Sequence, residues 1–88
     1  MYTKRVRAMD KLKLTVISPA GLLLEDNASS VAMKTADGWF GVRAGSFPIT
    51  AALEKCDIRY VKSGVEQIYH INGGFAEIKN DIITILVE

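Results

Sequence analysis

The sequence predicts an all-β fold, an antiparallel β-sandwich or flattened barrel of about ten short strands. Apolar and polar residues alternate with a period of two through most segments, and turn residues interrupt the chain about every 8 to 12 residues. The longest helical candidate, Thr50 to Cys56, covers only about two turns and has no capping residue. An α/β fold would need helices between its strands, so the pattern favours stacked antiparallel sheets.

The first half of the chain contains four predicted strands. In the first, Leu12, Leu14 and Val16 point to one face while lysines and a threonine point to the other, and Ser18 to Gly21 ends it. A short apolar run and an Asp26-Asn27 turn follow, and then a strand that carries Val31 and Met33. An Asp-Gly pair at 37–38 predicts a tight hairpin, in which glycine adopts positive φ, and a return strand from 39 to 42.

The second half of the chain follows the same pattern after a loop. Pro48 lacks the N–H that a central strand needs, so residues 43–48 are predicted to be a loop. Short strands then alternate with turns at Lys62-Ser63-Gly64, Asn72-Gly73-Gly74 and Asn80-Asp81. The expected core comprises Leu12, Leu14, Val16, Val31, Met33, Val42, Leu53, Ile58, Tyr60, Tyr69, Ile71, Ile83 and Ile85.

Length and composition limit the chain to one small soluble domain. Its 88 residues are 49% hydrophobic, and 11 basic against 10 acidic residues give a net charge of +1, so charge does not indicate nucleic acid or anionic lipid as a ligand. No apolar run approaches the roughly 20 residues of a membrane span. We assign the domain to 9–88 and interpret 1–8 as a basic tail, leaving open a mis-assigned start, an expression remnant and a short arm on the sheet.

The residue types that usually carry chemistry are sparse. Cys56 is the only cysteine, which excludes an internal disulfide and fits a reducing compartment; a small half-buried apolar role is favoured for it. His70 is the only histidine and has no nucleophile near it in sequence, so a structural role is favoured. The acidic residues and glycines lie in or beside predicted turns, so we interpret them as turn residues. Their spacing does not match a calcium-binding loop or a glycine-rich phosphate-binding loop. We therefore predict no catalytic residue, no metal site and no cofactor.

One segment is unusual because it combines aromatic side chains with a hairpin and a loop. The only tryptophan and two of the three phenylalanines lie between Gly38 and Pro48. Such rings either close the open end of a small sandwich or form an exposed anchor, and both interpretations stay open for Trp39.

At this segment the sequence resembles the N-terminal β-sandwich domain of the epsilon subunit of F-type ATP synthase, which is called delta in mitochondria. The family begins with a strand ending in Thr/Ser-Pro-x-Gly, here residues 14–21. Its central motif, Gly-Glu-apolar-Gly-Val-Leu-Pro-Gly-His-Ala-Pro-Leu, aligns without a gap onto 38–49. Its Ser-Gly-Gly-Phe-x-Glu-Val segment matches 72–78, and a closing strand follows at 82–87. The resemblance covers 11–88, with three motifs in the correct order.

The departures from the family motif change side chains and keep the glycines and Pro48. Trp39 stands where the family has an acid, Arg43-Ala44 replace its Leu-Pro, and Ser46-Phe47 replace its His-Ala. The family's usual C-terminal helical hairpin, which carries ATP sensing and inhibition in many bacterial members, has no counterpart in these residues. If the sequence is complete, inhibition by that hairpin is not expected.

The resemblance implies a non-catalytic rotor subunit that joins gamma to the c ring and couples ion translocation to ATP synthesis. By similarity, Asp37 to Gly41 would face the polar loops of the c ring and Gly45 to Ile49 would lie near gamma. The interface residues that the resemblance implies are Asp37, Gly38, Trp39, Phe40, Gly41, Arg43, Gly45, Ser46, Phe47 and Pro48. The expected location is cytoplasmic, peripheral at the inner face of the membrane through the complex, as one copy without nucleic acid or membrane insertion. Two alternatives stay open: a stand-alone module that binds another protein or a ligand, and a small enzyme that uses His70 or Cys56.

Overall fold

The computed structural model describes residues 10–88, and the predicted tail at 1–8 lies outside the described residues. Within this range the chain forms nine strands and no helix. The segment 50–56, the longest helical candidate, is mostly strand. The strands are β1 Leu12–Ser18, β2 Gly21–Ala28, β3 Ser30–Thr35, β4 Gly38–Arg43, β5 Ile49–Leu53, β6 Cys56–Lys62, β7 Val65–Ile71, β8 Gly74–Lys79 and β9 Ile82–Leu86.

The strands form two sheets that enclose one core, which confirms the predicted β-sandwich. The five-stranded sheet has the order β2-β1-β9-β8-β5, and the four-stranded sheet has the order β4-β3-β6-β7. All neighbouring strands are antiparallel except β1 and β9, which pair in parallel from Lys13 opposite Ile82 to Ile17 opposite Leu86. The first and last strands therefore close the five-stranded sheet at its centre.

The core follows from the alternation in the sequence, because inward positions on both sheets carry aliphatic side chains. Twelve of the thirteen predicted core residues are buried. Tyr69 is only partly buried because it lies on β7, the edge strand of its sheet. The other buried hydrophobic residues are Ala28, Cys56, Ala76 and Ile78.

Three predicted turns are confirmed by the backbone angles. Gly38 has a φ of +121° at the end of the β3–β4 turn, and Ser63 and Gly64 have φ values of 51° and 79° between β6 and β7. Asn80 and Asp81, with φ values of 53° and 63°, connect β8 to β9. Two residues in the left-handed region form the hairpin turn that suits the twist of the flanking strands.

The predicted turn at Asp26-Asn27 is wrong, because both residues lie within β2. The Asp26 carboxylate accepts a hydrogen bond from the Tyr60 hydroxyl at 3.1 Å and forms an ion pair with Lys62 Nζ at 2.7 Å. These two partners on β6 satisfy an acidic side chain that would otherwise favour a turn. The contact also links an edge of the five-stranded sheet to the four-stranded sheet.

Candidate interaction surface

The predicted interface residues lie at the end of the β3–β4 turn, on β4 and on the loop at 44–48, and we call residues 37–48 the anchor segment. Strand β4 is an edge strand of the four-stranded sheet, since β3 is its only neighbour among residues 10–88. The loop carries the chain from this sheet to β5 in the other sheet. Most of the anchor segment is exposed; Gly38, Phe40 and Ser46 are intermediate, and Val42 is buried.

The three aromatic side chains of the anchor segment have different environments. Phe47 is 85% exposed and Trp39 is 50% exposed, whereas Phe40 is partly buried and packs against the core. Trp39 and Phe40 point to opposite faces because neighbouring residues of a strand alternate. Trp39 and Phe47 therefore have the exposure that the anchor hypothesis requires, and Phe40 belongs to the sandwich.

Trp39 lies among basic side chains on the outer face of the four-stranded sheet. The guanidinium carbon of Arg59 lies 5.7 Å from the Trp39 ring centroid, within the range of a cation–π contact. Lys34 is the cross-strand partner of Trp39, and Arg43 follows on the same face of β4. This outer face therefore presents an aromatic ring with Arg59 beside it, Lys34 on the neighbouring strand and Arg43 further along β4, in a chain of almost zero net charge.

The loop at 44–48 is held by hydrogen bonds at its start. The Arg43 carbonyl accepts bonds from the Ser46 hydroxyl at 2.7 Å and from the Ser46 N–H at 3.3 Å. The Gly45 N–H donates to Asp81 Oδ1 at 2.8 Å, which ties the loop to the β8–β9 turn. Sequence reasoning missed Asp81 as a support for this loop, because 36 residues separate the two groups and no local pattern connects them.

The two ends of β4 place the two exposed rings far apart. Asp37 and Trp39 lie at the hairpin end, and Phe47 follows the other end. Five steps along the strand, at a rise of about 3.4 Å each, separate these ends by about 17 Å. The anchor segment is therefore two contact regions on one edge of the sandwich.

The side of the sandwich formed by β2 and β6 is closed by a polar clasp, which we define as Asp26, Tyr60 and Lys62. The hydrogen-bonded ion pair between Asp26 and Lys62 is the main reason that the pKa of Asp26 is lowered, although burial opposes the shift. Burial, followed by the bond to Asp26, raises the pKa of Tyr60, and the bond to Asp26 raises the pKa of Lys62. The clasp therefore favours ionised Asp26 and Lys62 together with neutral Tyr60.

His70 and Cys56 do not form a catalytic arrangement with each other. Cys56 is buried, as its favoured apolar role requires. His70 is exposed on β7, and its two ring nitrogens lie 2.7 Å from Asp57 Oδ1 and 3.2 Å from Asn72 Oδ1. A cleft beside it is lined by Leu23, Tyr69 and Val87 among others, but polar neighbours already occupy the nitrogens that would act on a ligand.

The described residues show neither a metal-ion cluster nor a membrane-spanning helix. Across residues 10–88, no group of three or more His, Cys, Asp or Glu side chains is placed to hold a metal ion. The same range contains no helix with the length and apolar character needed to cross a membrane.

Sequence reasoning also missed an apolar row on the outer face of the five-stranded sheet. Ile17 lies opposite Leu22 and Leu86, and Leu86 lies opposite Phe75. Three of these side chains are 47–58% exposed. Only the strand register brings all four together, since Ile17 and Leu22 lie near one end of the sequence and Phe75 and Leu86 near the other, so no local signal could have found the whole row.

Comparison with known proteins gives consistent results for residues 11–88. This range matches the family model for the ATP synthase delta/epsilon chain β-sandwich domain. The chain is 32% identical over 80 residues to the ATP synthase epsilon chain of Shouchella clausii and 33% identical over 79 residues to that of Geotalea uraniireducens. These alignments cover 91% and 90% of this chain, but only 60% and 57% of the relatives.

Solved structures have the same fold. A chain of the Euglena gracilis mitochondrial ATP synthase superimposes with a TM-score of 0.80 at 22% identity, covering 89% of this chain and 51% of that chain. A chain in the central stalk and c-ring structure of the Tetrahymena thermophila enzyme gives a TM-score of 0.72 at 15% identity, covering 88% and 63%. At these identities the likeness establishes the fold alone.

Proposed function

The chain belongs to the ATP synthase delta/epsilon family through its β-sandwich domain, and from this premise we propose that it is a non-catalytic subunit of the central stalk. In this role it would link the gamma subunit to the c ring and so couple ion translocation to ATP synthesis. It would then lie at the inner face of the membrane, held there by the complex. The chain spans about 60% of the length of its curated relatives, so the proposal concerns what this domain contributes.

The observation that carries this proposal is the separation of the two exposed rings along one edge. A linker must contact two partners at once, which requires two surfaces that do not overlap. Trp39 lies at the hairpin end of β4 and Phe47 lies beyond its other end, and strand rise puts the two ends of β4 about 17 Å apart. We assign the hairpin end to the c ring and the loop end, Gly45 to Ile49, to gamma.

The sandwich suits a part that transmits torque. A rotor linker needs stiffness between its two contact regions, and a close-packed interior resists deformation. Here the buried side chains of both sheets form one core, and the β6–β7 and β8–β9 turns contain only two residues each. Gly45 and Asp81 add a link between the loop end of the anchor segment and the five-stranded sheet.

The replacement of the family acid by Trp39 changes the kind of contact that this end offers. An acid would attract basic groups of the ring loops, whereas Trp39 with Arg59 beside it offers an aromatic surface backed by positive charge. Such a surface suits a partner loop that carries apolar and acidic side chains. We therefore expect the c-ring loops of the same organism to carry at least one acid where they meet this end.

Binding to gamma and to the c ring tests the proposal. We expect Phe47→Ala to weaken gamma binding and Trp39→Ala to weaken c-ring binding, each by about 1 to 3 kcal/mol, the scale of an aromatic interface anchor. Isothermal titration with gamma, and co-sedimentation with c rings in detergent, measure the two affinities. Each substitution should affect mainly its own partner, because the two rings lie at opposite ends of β4.

Ile68→Ala provides the matched control. Ile68 is 61% exposed on β7, the opposite edge strand of the same sheet, so its loss should leave both affinities unchanged. If the unmodified chain binds neither gamma nor the c ring, the stalk proposal is wrong, and a stand-alone interaction module becomes the better interpretation. If Ile68→Ala weakens binding as much as Phe47→Ala, the anchors are misplaced.

A further inference from the structure

Within residues 10–88, strand β4 has an edge without a strand partner, and it carries fewer protective features than the other three edge strands. Natural sheets guard their edges with bulges, prolines, short strands or charges. Strand β2 has a register shift opposite Val16 and Ile17, β5 has five residues and follows Pro48, and β7 carries Glu66 and His70. The six residues of β4, in contrast, pair with β3 without a register shift and carry one charge, at their last position.

The direction of the backbone groups identifies which of them are open. The Lys34 carbonyl accepts a hydrogen bond from the Glu54 N–H, so the backbone N–H and C=O groups of Lys34 point away from β4. Because the direction of the backbone groups alternates along a strand, the N–H and C=O groups of Met33 point toward β4. The backbone groups of its cross-strand partner Phe40 therefore point toward β3. Trp39 and Gly41 therefore direct their N–H and C=O groups to the open edge.

We propose that this edge binds a second copy of the chain, with the two β4 strands antiparallel about a twofold axis at Phe40. This register places Trp39 of each copy opposite Gly41 of the other. Two such pairs make four backbone hydrogen bonds, which use all the open groups of these two residues in both copies. The two four-stranded sheets become one sheet of eight strands.

The side chains complement one another in this register. Gly41 has no heavy atom within 4 Å of the place where a Cβ would stand, so the outer face has space opposite the Trp39 ring. A cross-strand aromatic ring covers such a glycine well. On the inner side the two Phe40 rings meet at the axis, where aromatic pairs stabilise antiparallel strands.

Charges at the ends of the paired strands also complement one another. One pairing step beyond Trp39 and Gly41, Asp37 of each copy comes opposite Arg43 of the other. Neither residue forms a salt bridge with another residue of the range 10–88. The twofold axis makes this opposite-charge pair twice, and an interface of this kind is self-complementary and closed.

The dimer would cover the same edge that the stalk proposal assigns to gamma and the c ring. Dimer formation and incorporation into the motor would therefore exclude each other, and the free subunit would protect its open strand by self-pairing. The inference does not rest on the stalk proposal, since it depends only on the geometry of β4. One edge pairing is smaller than a standard interface of about 1,600 Å², so we expect a Kd between about 1 µM and 1 mM.

Sedimentation equilibrium with charge-reversed variants tests the dimer. The chain should be monomeric well below its Kd and dimeric well above it. We expect Asp37→Arg and Arg43→Asp to raise the dimer Kd about tenfold or more each, because each creates two like-charge contacts. The double variant should restore the original Kd, since it exchanges the charges without changing the register. Lys55→Glu, an exposed reversal off this edge, should have no effect.

Gly41→Pro gives an independent test of the backbone pairing. The Gly41 N–H faces the open edge, so proline removes no hydrogen bond to β3, and proline occurs at such edges. We expect a folded monomer by circular dichroism and sedimentation. A chain that stays monomeric up to about 1 mM overturns the inference, as does a dimer that the charge reversals leave unchanged. Gamma binding by a monomeric chain would still support the stalk proposal, so the two can fail separately.

Discussion

Tyr60 and Trp39 illustrate two uses of a large aromatic side chain in one small sandwich. Tyr60 is 6% exposed, and its hydroxyl donates to Asp26 on β2 in the other sheet. Trp39 is 50% exposed, and a solvent-exposed arginine of its own sheet lies beside its ring. Tyr60 is buried and its hydroxyl is hydrogen-bonded within its own chain, whereas Trp39 leaves much of its surface accessible to a partner. Stability and recognition are therefore carried by different faces and edges of the fold.

The largest expected change in stability concerns two glycines, one with no space for a side chain and one with open space around it. In Gly74→Val, the added Cβ would overlap the backbone oxygen of Leu86, and neither strand can move without breaking the β8–β9 pairing. We expect a loss of about 3 kcal/mol or more in unfolding free energy, measured by urea denaturation. Gly41→Ala, at a position with open space, should cost about 1 kcal/mol or less. Equal losses would contradict the distinction between the two regions.

The second prediction compares the two aromatic side chains directly. Tyr60→Ala should lower the unfolding free energy by about 3 kcal/mol, because it leaves a cavity in the core and removes a partner of Asp26. Trp39→Ala should change it by about 0.5 kcal/mol or less, since an exposed ring contributes little to folding. Thermal and urea unfolding of both variants measure the difference. A large loss in Trp39→Ala would place that ring in the folding core instead.

The third prediction concerns the hydroxyl and the pH dependence of the clasp. Tyr60→Phe keeps the ring and removes one hydrogen bond, so we expect a loss of about 1 kcal/mol at neutral pH. The lowered pKa of Asp26 adds stability that is complete above its unfolded value of about 3.9 and is lost as pH falls through the lower folded value. The raised pKa values of Tyr60 and Lys62 add stability at lower pH that is lost in the alkaline range, as pH rises through them.

Urea unfolding of Asp26→Asn from pH 2 to 11 tests this pH dependence. Without the carboxylate, the acid loss and the alkaline loss should both be smaller than in the unmodified chain. Glu54→Gln, an exposed substitution outside the clasp, is the control and should keep the original profile. An Asp26→Asn profile parallel to the original would mean that the clasp does not contribute to stability.

The smallest expected effect lies at the loop end of the anchor segment. Asp81→Gly removes the acceptor for the Gly45 N–H but leaves a residue that tolerates the positive φ at this position. Asp81→Asn, the control, keeps a side-chain oxygen acceptor and also tolerates the positive φ. We expect amide hydrogen exchange at Gly45 to be about 2- to 5-fold faster in Asp81→Gly, the value of one exposed hydrogen bond. Unchanged exchange at Gly45 would show that the loop is held by Ser46 and Arg43 alone.

Much of the fold could be predicted from the sequence because its signals are local. Alternation identified the inward residues, and Asp-Gly, Ser-Gly and Asn-Asp pairs identified the turns. The prediction of a turn at Asp26-Asn27 failed because Tyr60 and Lys62 on β6 bind the Asp26 carboxylate through a hydrogen bond and an ion pair. The candidate site was predicted as a range of residues, but sequence alone left both interpretations of Trp39 open, and its exposure follows only from the fold.

The sequence by itself determined a two-layer β fold and its family, because the period of two and the order of three motifs survive without any tertiary information. The tertiary structure decided which edge stays open, which ring reaches solvent, and that Asp81 holds the loop through Gly45. These features depend on register and on contacts between residues far apart in the chain. Such contacts leave no local pattern, since each partner residue is also compatible with an ordinary turn or surface position.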